Sequence, residues 1–135
     1  MNYNDYRVAV LEWRNLLVRA WSFICREGDA ECARILVDDA RMRGLTERQE
    51  LKGATLRNMP NGNKSPEWVC KAAFYLLLEN EYVPNRDETL AALVFYWLKE
   101  SPVAALEDAL EAFPEYLMAA AGERVKHWMG IYFDQ

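Results

Sequence analysis

The residues able to carry nucleophilic chemistry are one histidine and three cysteines. His127 would have to serve as the base for any serine or cysteine nucleophile, because the chain has no other histidine. The sequence around Cys25, Cys32 and Cys70 matches no nucleophile motif, and no glycine-rich phosphate loop is present. The pattern therefore predicts buried thiols and a histidine near a helix end, with no catalytic residue.

The same four residues form a conceivable zinc set of three cysteines and one histidine. The gap between Cys25 and Cys32 is wider than the two to four residues that separate paired ligands in zinc knuckles. We therefore expect no metal and no cofactor. The odd cysteine count, in apolar or helical stretches, favours free buried thiols in a reducing compartment over a disulfide framework.

A group of carboxylates follows Ser101 at helical spacing, and paired carboxylates can do acid-base or hard-metal chemistry. These residues are Glu107, Asp108, Glu111 and Glu115. Carboxylate metal bundles add histidines at Glu-x-x-His spacing, which this chain lacks. The pattern therefore indicates a solvated face, whose use would be the attraction of a basic partner.

Charge is uneven along the chain, whose net charge is −5. Formal charge is −2 over residues 1–40, +4 over residues 41–64 and −7 over residues 65–135. The basic residues of the middle segment are Arg41, Arg43, Arg48, Lys52, Arg57 and Lys64. Glu47 and Glu50 interrupt this segment, which argues against nucleic-acid binding; docking on the acidic C-terminal half is the simpler interpretation.

Aromatic residues make up 13% of the chain, more than a small helical core obviously requires. Most of them fall on apolar helix faces and are expected in the core. Those at helix ends or beside polar residues are candidate interface anchors. Together with the four carboxylates, the predicted protein interface contains Tyr96, Trp128, Tyr132 and Phe133. Tyr3 and Tyr82 share the same kind of position.

The first half of the chain predicts three helices. Apolar residues at steps of three and four over residues 5–26 indicate one long amphipathic helix, capped by Asn4 or Asp5 and ended by Gly28. A second helix begins at Asp29 and is closed by Gly44. A third, weaker helix opens with the Thr46/Gln49 capping pattern and includes Gly53.

The second half predicts further capped helices. Ser65-Pro66-Glu67 is a strong start for residues 66–79, which are apolar on nearly every side. The next helix follows a capping pair at Asn85 and Glu88. Later helices begin at Ser101-Pro102 and Pro114, the last ending near Trp128 before a short apolar arm at 129–133.

These elements predict an all-α fold, a compact bundle of about six helices around the apolar helix 66–79, as a single helical domain over residues 1–135. No alternating run is long enough for a sheet, and no apolar run is long enough to span a membrane. The N-terminus does not have the pattern of a secretory signal. We therefore expect a cytoplasmic location.

The sequence favours a non-enzymatic protein-interaction module: an adaptor, chaperone, inhibitor or immunity-type protein. Its acidic, aromatic-edged C-terminal half would bind a protein partner, for which a basic protein and a second copy of this chain are candidates. The alternative is a small enzyme or ligand-binding bundle whose site is assembled from separate helices and leaves no local motif.

Overall fold

The fold is all-α, as predicted, in a computed structural model that describes residues 1–134. The α-helices are α1 (Tyr3–Trp13), α2 (Asn15–Ile24), α3 (Asp29–Met42), α4 (Gly53–Asn58), α5 (Glu67–Glu79), α6 (Asp87–Glu100), α7 (Leu106–Ala112) and α8 (Glu115–Phe133). A 3₁₀ turn occupies Pro60–Gly62, and no strand occurs within residues 1–134. None of these helices is both long and apolar enough to cross a bilayer.

The chain divides into two compact units. Unit 1 contains Met1–Trp13 and the chain from Val83 onward, and unit 2 contains Arg14–Tyr82. In unit 1, α1 and α7 pack on α8, and α1 and α8 pack on α6. In unit 2, α2 and α3 pack on α5, and α4 packs on α3. The single domain over residues 1–135 stays a prediction.

The predicted long helix over residues 5–26 is interrupted at Arg14, where unit 1 gives way to unit 2. The two sides of this break serve different cores. Trp13 meets Trp128 edge to face in unit 1, at 5.6 Å between ring centroids. Asn15, 2% exposed, accepts a hydrogen bond from the Ser65 amide in unit 2 through its Oδ1, at 3.0 Å. The continuous hydrophobic periodicity over residues 5–26 therefore gave no indication that the two sides of Arg14 pack in different cores.

Unit 2 has its most buried helix at α5, which lies in the predicted central stretch. The predicted stop at Gly44 is confirmed: its φ is +75°, and the Gly44 and Leu45 amides donate to Arg41 and Ala40. This is the Schellman arrangement that ends a helix with glycine. Gly28 also has a positive φ, but α2 ends earlier, at Ile24.

The predicted helix from Thr46 is wrong in its start. Residues 46–52 form a loop, in which Thr46 Oγ1 accepts a hydrogen bond from the Arg48 amide, and α4 begins only at Gly53. The glycine lies against the start of α3. A Cβ added at Gly53 would lie 2.6 Å from the Ala30 nitrogen and the Asp29 carbonyl carbon, so only glycine fits without displacement.

Unit 1 has its own buried helix in α6, where nine residues from Thr89 to Leu98 are buried. The last helix starts after Pro114 as predicted, but it continues to Phe133 instead of ending near Trp128. The expected terminal arm at 129–133 is therefore part of α8. Ala121 interrupts the helical angles of α8, with φ −147° and ψ 32°, next to Gly122.

Most predicted side-chain caps are absent from the described helix starts. Neither Ser65 nor Asn85 forms a cap, since the residues at the N-cap positions of α5 and α6 are Pro66 and Arg86. The capping box occurs instead at α1, between Asn2 and Asp5. The Asp5 amide donates to Asn2 Oδ1 at 2.9 Å, and the Asn2 amide donates to Asp5 Oδ2 at 3.1 Å.

Candidate functional site

The predicted carboxylates are all exposed in unit 1, at α7 and the start of α8. Glu107, Asp108 and Glu111 lie on α7, and Glu115 opens α8; all four are exposed. We call these four residues the acidic ridge. Phe113, between the two helices, is 3% exposed and meets Trp97 of α6 edge to face at 5.0 Å. This contact between the buried Phe113 and the partly exposed Trp97 therefore joins the chain between α7 and α8 to α6.

The acidic ridge lacks compensating cations. Within residues 1–134, none of the four carboxylates forms an ion pair. Glu111 follows Glu107 by four residues and Asp108 by three, which places like charges on adjacent positions of one helix face. The ridge therefore carries an uncompensated negative charge.

The excess of negative charge is confined to unit 1. Its residues include eleven acidic and five basic side chains, whereas unit 2 has ten acidic and eleven basic ones. The acidic part of the chain is therefore narrower than the predicted span of residues 65–135, because 65–82 belongs to the nearly neutral unit 2.

Two of the predicted aromatic anchors do not have the exposed position expected of them. Tyr96 and Trp128 are each only 6% exposed and belong to the core. Trp128 packs against Tyr6 at 5.0 Å between ring centroids, and its Nε1 donates to Asp87 Oδ1 at 3.1 Å. The polar neighbours in the sequence had suggested a surface position, but α6 is buried around most of its circumference and α8 presents Trp128 inward.

Tyr132 and Phe133 are partly exposed, but Tyr132 belongs to an internal cluster of unit 1. Its ring meets Tyr3 at 5.4 Å and Phe95 at 5.5 Å, both edge to face. Lys99 Nζ lies 5.5 to 5.8 Å from the centroids of these three rings and donates to Tyr3 Oη at 3.1 Å. This hydrogen bond raises the pKa of Lys99. Sequence reasoning missed Lys99, because its environment forms only when aromatic rings from three separate helices come together.

The structure does not bring the acidic and aromatic candidates together. Glu115 is the first residue of α8 and Phe133 the last, so roughly 25 Å of helix separates them. The predicted acidic, aromatic-edged surface is therefore two separate places: the exposed acidic ridge, and Tyr132 and Phe133, which are only partly exposed.

The basic segment does not dock mainly on the acidic C-terminal half. Arg57 pairs with Asp29 at 3.1 Å, and Arg43 Nε pairs with Asp39 at 2.9 Å. Both of these acids lie on α3. Arg43 also pairs with Glu79 and lies 4.1 Å from the centroid of the Tyr75 ring. The partners are thus mostly acids from α3, which precede the segment in the sequence.

The prediction of three free thiols is wrong. Cys25 and Cys32 form a disulfide, with their Cα atoms 5.9 Å apart, whereas Cys70 is buried and is not disulfide-bonded. Both cysteines flank the Gly28 turn between two helices, a placement in the sequence that could have suggested the pair. The inference of a reducing compartment from free thiols therefore loses its basis.

His127 is exposed on α8, and its ring meets Trp128 edge to face at 5.0 Å. It belongs to unit 1, whereas all three cysteines belong to unit 2. Across Met1–Asp134, no three His, Cys, Asp or Glu side chains are grouped as a metal ion would require. These positions give no specific support to a convergent catalytic site, which stays an untested alternative.

The chain matches no protein-family model, no curated protein and no solved structure at a significant level.

Proposed function

We propose that this protein is a protein-interaction module that binds a basic partner through the acidic ridge of unit 1. The observation that carries the proposal is the exposure of four carboxylates that form no ion pair within residues 1–134. Uncompensated charge of one sign speeds the encounter with an oppositely charged protein and selects against acidic ones.

The contrast with the paired acids of unit 2 supports the proposal. There, Asp29, Asp39 and Glu79 each have an arginine partner. Like charges at helical neighbour positions cost a few tenths of a kcal/mol per pair in an isolated helix. A surface that keeps such charges unpaired is better explained by a cation supplied by another molecule than by folding.

A charge-reversal experiment tests the proposal. The ridge variant replaces Glu107, Asp108, Glu111 and Glu115 with lysine. The control variant replaces Glu27, Glu47, Glu50 and Glu81 of unit 2, which are exposed and change the net charge equally. Each protein is immobilised, and the retained proteins are compared by mass spectrometry at low and high salt.

We expect a basic protein that the wild type and the control variant retain at low salt and release at high salt, and that the ridge variant loses. Size-exclusion chromatography of the same three proteins tests whether the partner is a second copy. If both variants retained the same proteins as the wild type, the ridge would have no part in binding.

A further inference from the structure

The Cys25–Cys32 disulfide joins the end of α2 to the first turn of α3 in unit 2. Cys25 is the residue at the C-cap of α2, and its amide still donates to the Trp21 carbonyl. Cys32 lies in the first turn of α3 and donates its amide to the Gly28 carbonyl at 2.9 Å. The bond therefore fixes the α2–α3 turn.

The two sulfur-bearing residues differ in accessibility. Cys32 is 3% exposed, whereas Cys25 is partly exposed. Residues 26–30 between them are all exposed, and a Cβ built on Gly28 would meet no atom within 4 Å. An incoming thiol should therefore approach the Cys25 side of the bond more readily than the buried Cys32.

The position of Cys32 suits a leaving thiolate. The amide dipoles of α3, which has fourteen residues, favour negative charge in its first turn. The acids near it, Asp29 and Glu31, are each paired, with Arg57 and Arg34 respectively. Their opposing charge is therefore partly compensated.

We propose that Cys25–Cys32 is an exchangeable disulfide whose Cys25 sulfur is attacked by a thiolate of a small or protein dithiol. Attack forms a mixed disulfide between the reagent and Cys25, breaks the Cys25–Cys32 bond and leaves its electron pair on the Cys32 sulfur, which takes a proton from water. The second thiol of the reagent then attacks the mixed disulfide. This second attack releases Cys25 as a thiol and converts the reagent to its own disulfide.

Trp21 provides a readout of this reaction on the folded chain. It is 5% exposed, and its Nε1 donates to the Cys32 carbonyl at 3.2 Å. Release of Cys32 should alter the Trp21 environment, so a change in tryptophan fluorescence should accompany reduction by dithiothreitol. The change should be absent from a Cys25→Ser/Cys32→Ser variant, which serves as the control.

The decisive comparison uses the two single variants on the full chain, with Ellman's reagent as the probe. Cys32→Ser leaves Cys25 as a free thiol, and Cys25→Ser leaves Cys32; Cys70, buried in both, is the internal reference. We expect Cys25 to react at least roughly tenfold faster than Cys32 under native conditions, because reactivity follows access as well as thiolate character. Circular dichroism establishes that both variants are folded.

Equal reaction rates for the two thiols would overturn the proposal. So would a wild-type disulfide that dithiothreitol reduces only as fast as the chain unfolds, measured by alkylation and peptide mapping, since the bond would then be a structural cross-link alone. Because the exchange site lies in unit 2, a negative result for the disulfide would not bear on the proposed binding role of the acidic ridge in unit 1.

Discussion

The two units handle charge and stability in different ways. In unit 2, acids on α3 pair with arginines on the same helix and on α4, and a disulfide fixes the α2–α3 turn. In unit 1, aromatic rings from α1, α6 and α8 interlock, while the acidic ridge has no ion pair within residues 1–134. The acids of α3 in unit 2 thus have arginine partners, whereas the four acids of the ridge in unit 1 have none in the described part of the chain.

The largest expected effect is the loss of the aromatic packing in unit 1. Trp128→Ala removes contacts with Tyr6 and Trp13 and the hydrogen bond to Asp87, so we expect a loss of about 3–5 kcal/mol in the free energy of unfolding, measured with urea. The matched control is Phe23→Ala at a residue 75% exposed, expected to stay within about 0.5 kcal/mol. A small effect at Trp128 would contradict its role in the core packing of unit 1.

Removal of the disulfide should have the next largest effect. The bond closes a short loop of the chain, for which loop-closure entropy predicts about 2–3 kcal/mol, or a fall in melting temperature of roughly 10 °C. Calorimetry of the Cys25→Ser/Cys32→Ser variant, in which Cys70 is unchanged, measures this fall in melting temperature. An unchanged melting temperature would show that the crosslink adds no stability to unit 2.

Gly53→Ala tests the contact of α4 with α3 in unit 2. The new Cβ would lie 2.6 Å from backbone atoms of Asp29 and Ala30, which cannot give way as a flexible side chain can. We expect a loss of about 1–3 kcal/mol by urea unfolding. Gly130→Ala in α8 is the control, since nothing lies within 4 Å of its Cβ, and helix propensity should stabilise it by about 0.5–1 kcal/mol. If both substitutions changed the free energy of unfolding in the same direction, the close approach of Gly53 to the start of α3 would be contradicted.

The parts of the fold that the sequence predicted depend on local chemistry. Gly44 stops α3 and Pro114 starts α8 because their backbone properties act whatever surrounds them. The parts it could not predict depend on distant residues. The Ser65 amide bonds to Asn15, fifty positions away, and its side chain forms no cap. A hydrophobic period gives no sign that the core changes at Arg14.

The candidate site divides in the same way. Helical spacing placed Glu107 and Glu111 on one exposed face, because residues four apart are neighbours on any helix. The exposure of Tyr96 could not be predicted, since it depends on how many helices cover α6. The placement of Cys25 and Cys32 on either side of the Gly28 turn could have suggested their pairing, but only the folded α2–α3 turn brings their Cα atoms to 5.9 Å.

The smallest expected effects are changes in the free energy of unfolding that have opposite signs in the two units. Glu111 lies in the last turn of α7, where the helix dipole disfavours a carboxylate, and it also adjoins Glu107 and Asp108. Glu111→Gln should therefore raise the free energy of unfolding by about 0.2–0.5 kcal/mol, more at low salt. Asp39→Asn in unit 2 should lower it by about 0.2–1 kcal/mol, because Arg43 loses one of its two carboxylate partners, the one at 2.9 Å.

Urea unfolding of both variants at low and high salt measures this difference. A stabilising Glu111→Gln that also weakens retention of a basic partner would mean that the ridge keeps its charge for binding at a cost in stability, as functional sites commonly do. A destabilising Glu111→Gln would mean that its carboxylate has a favourable contact within the fold. The charge of the ridge would then be part of how unit 1 is stabilised, and the contrast with unit 2 would disappear.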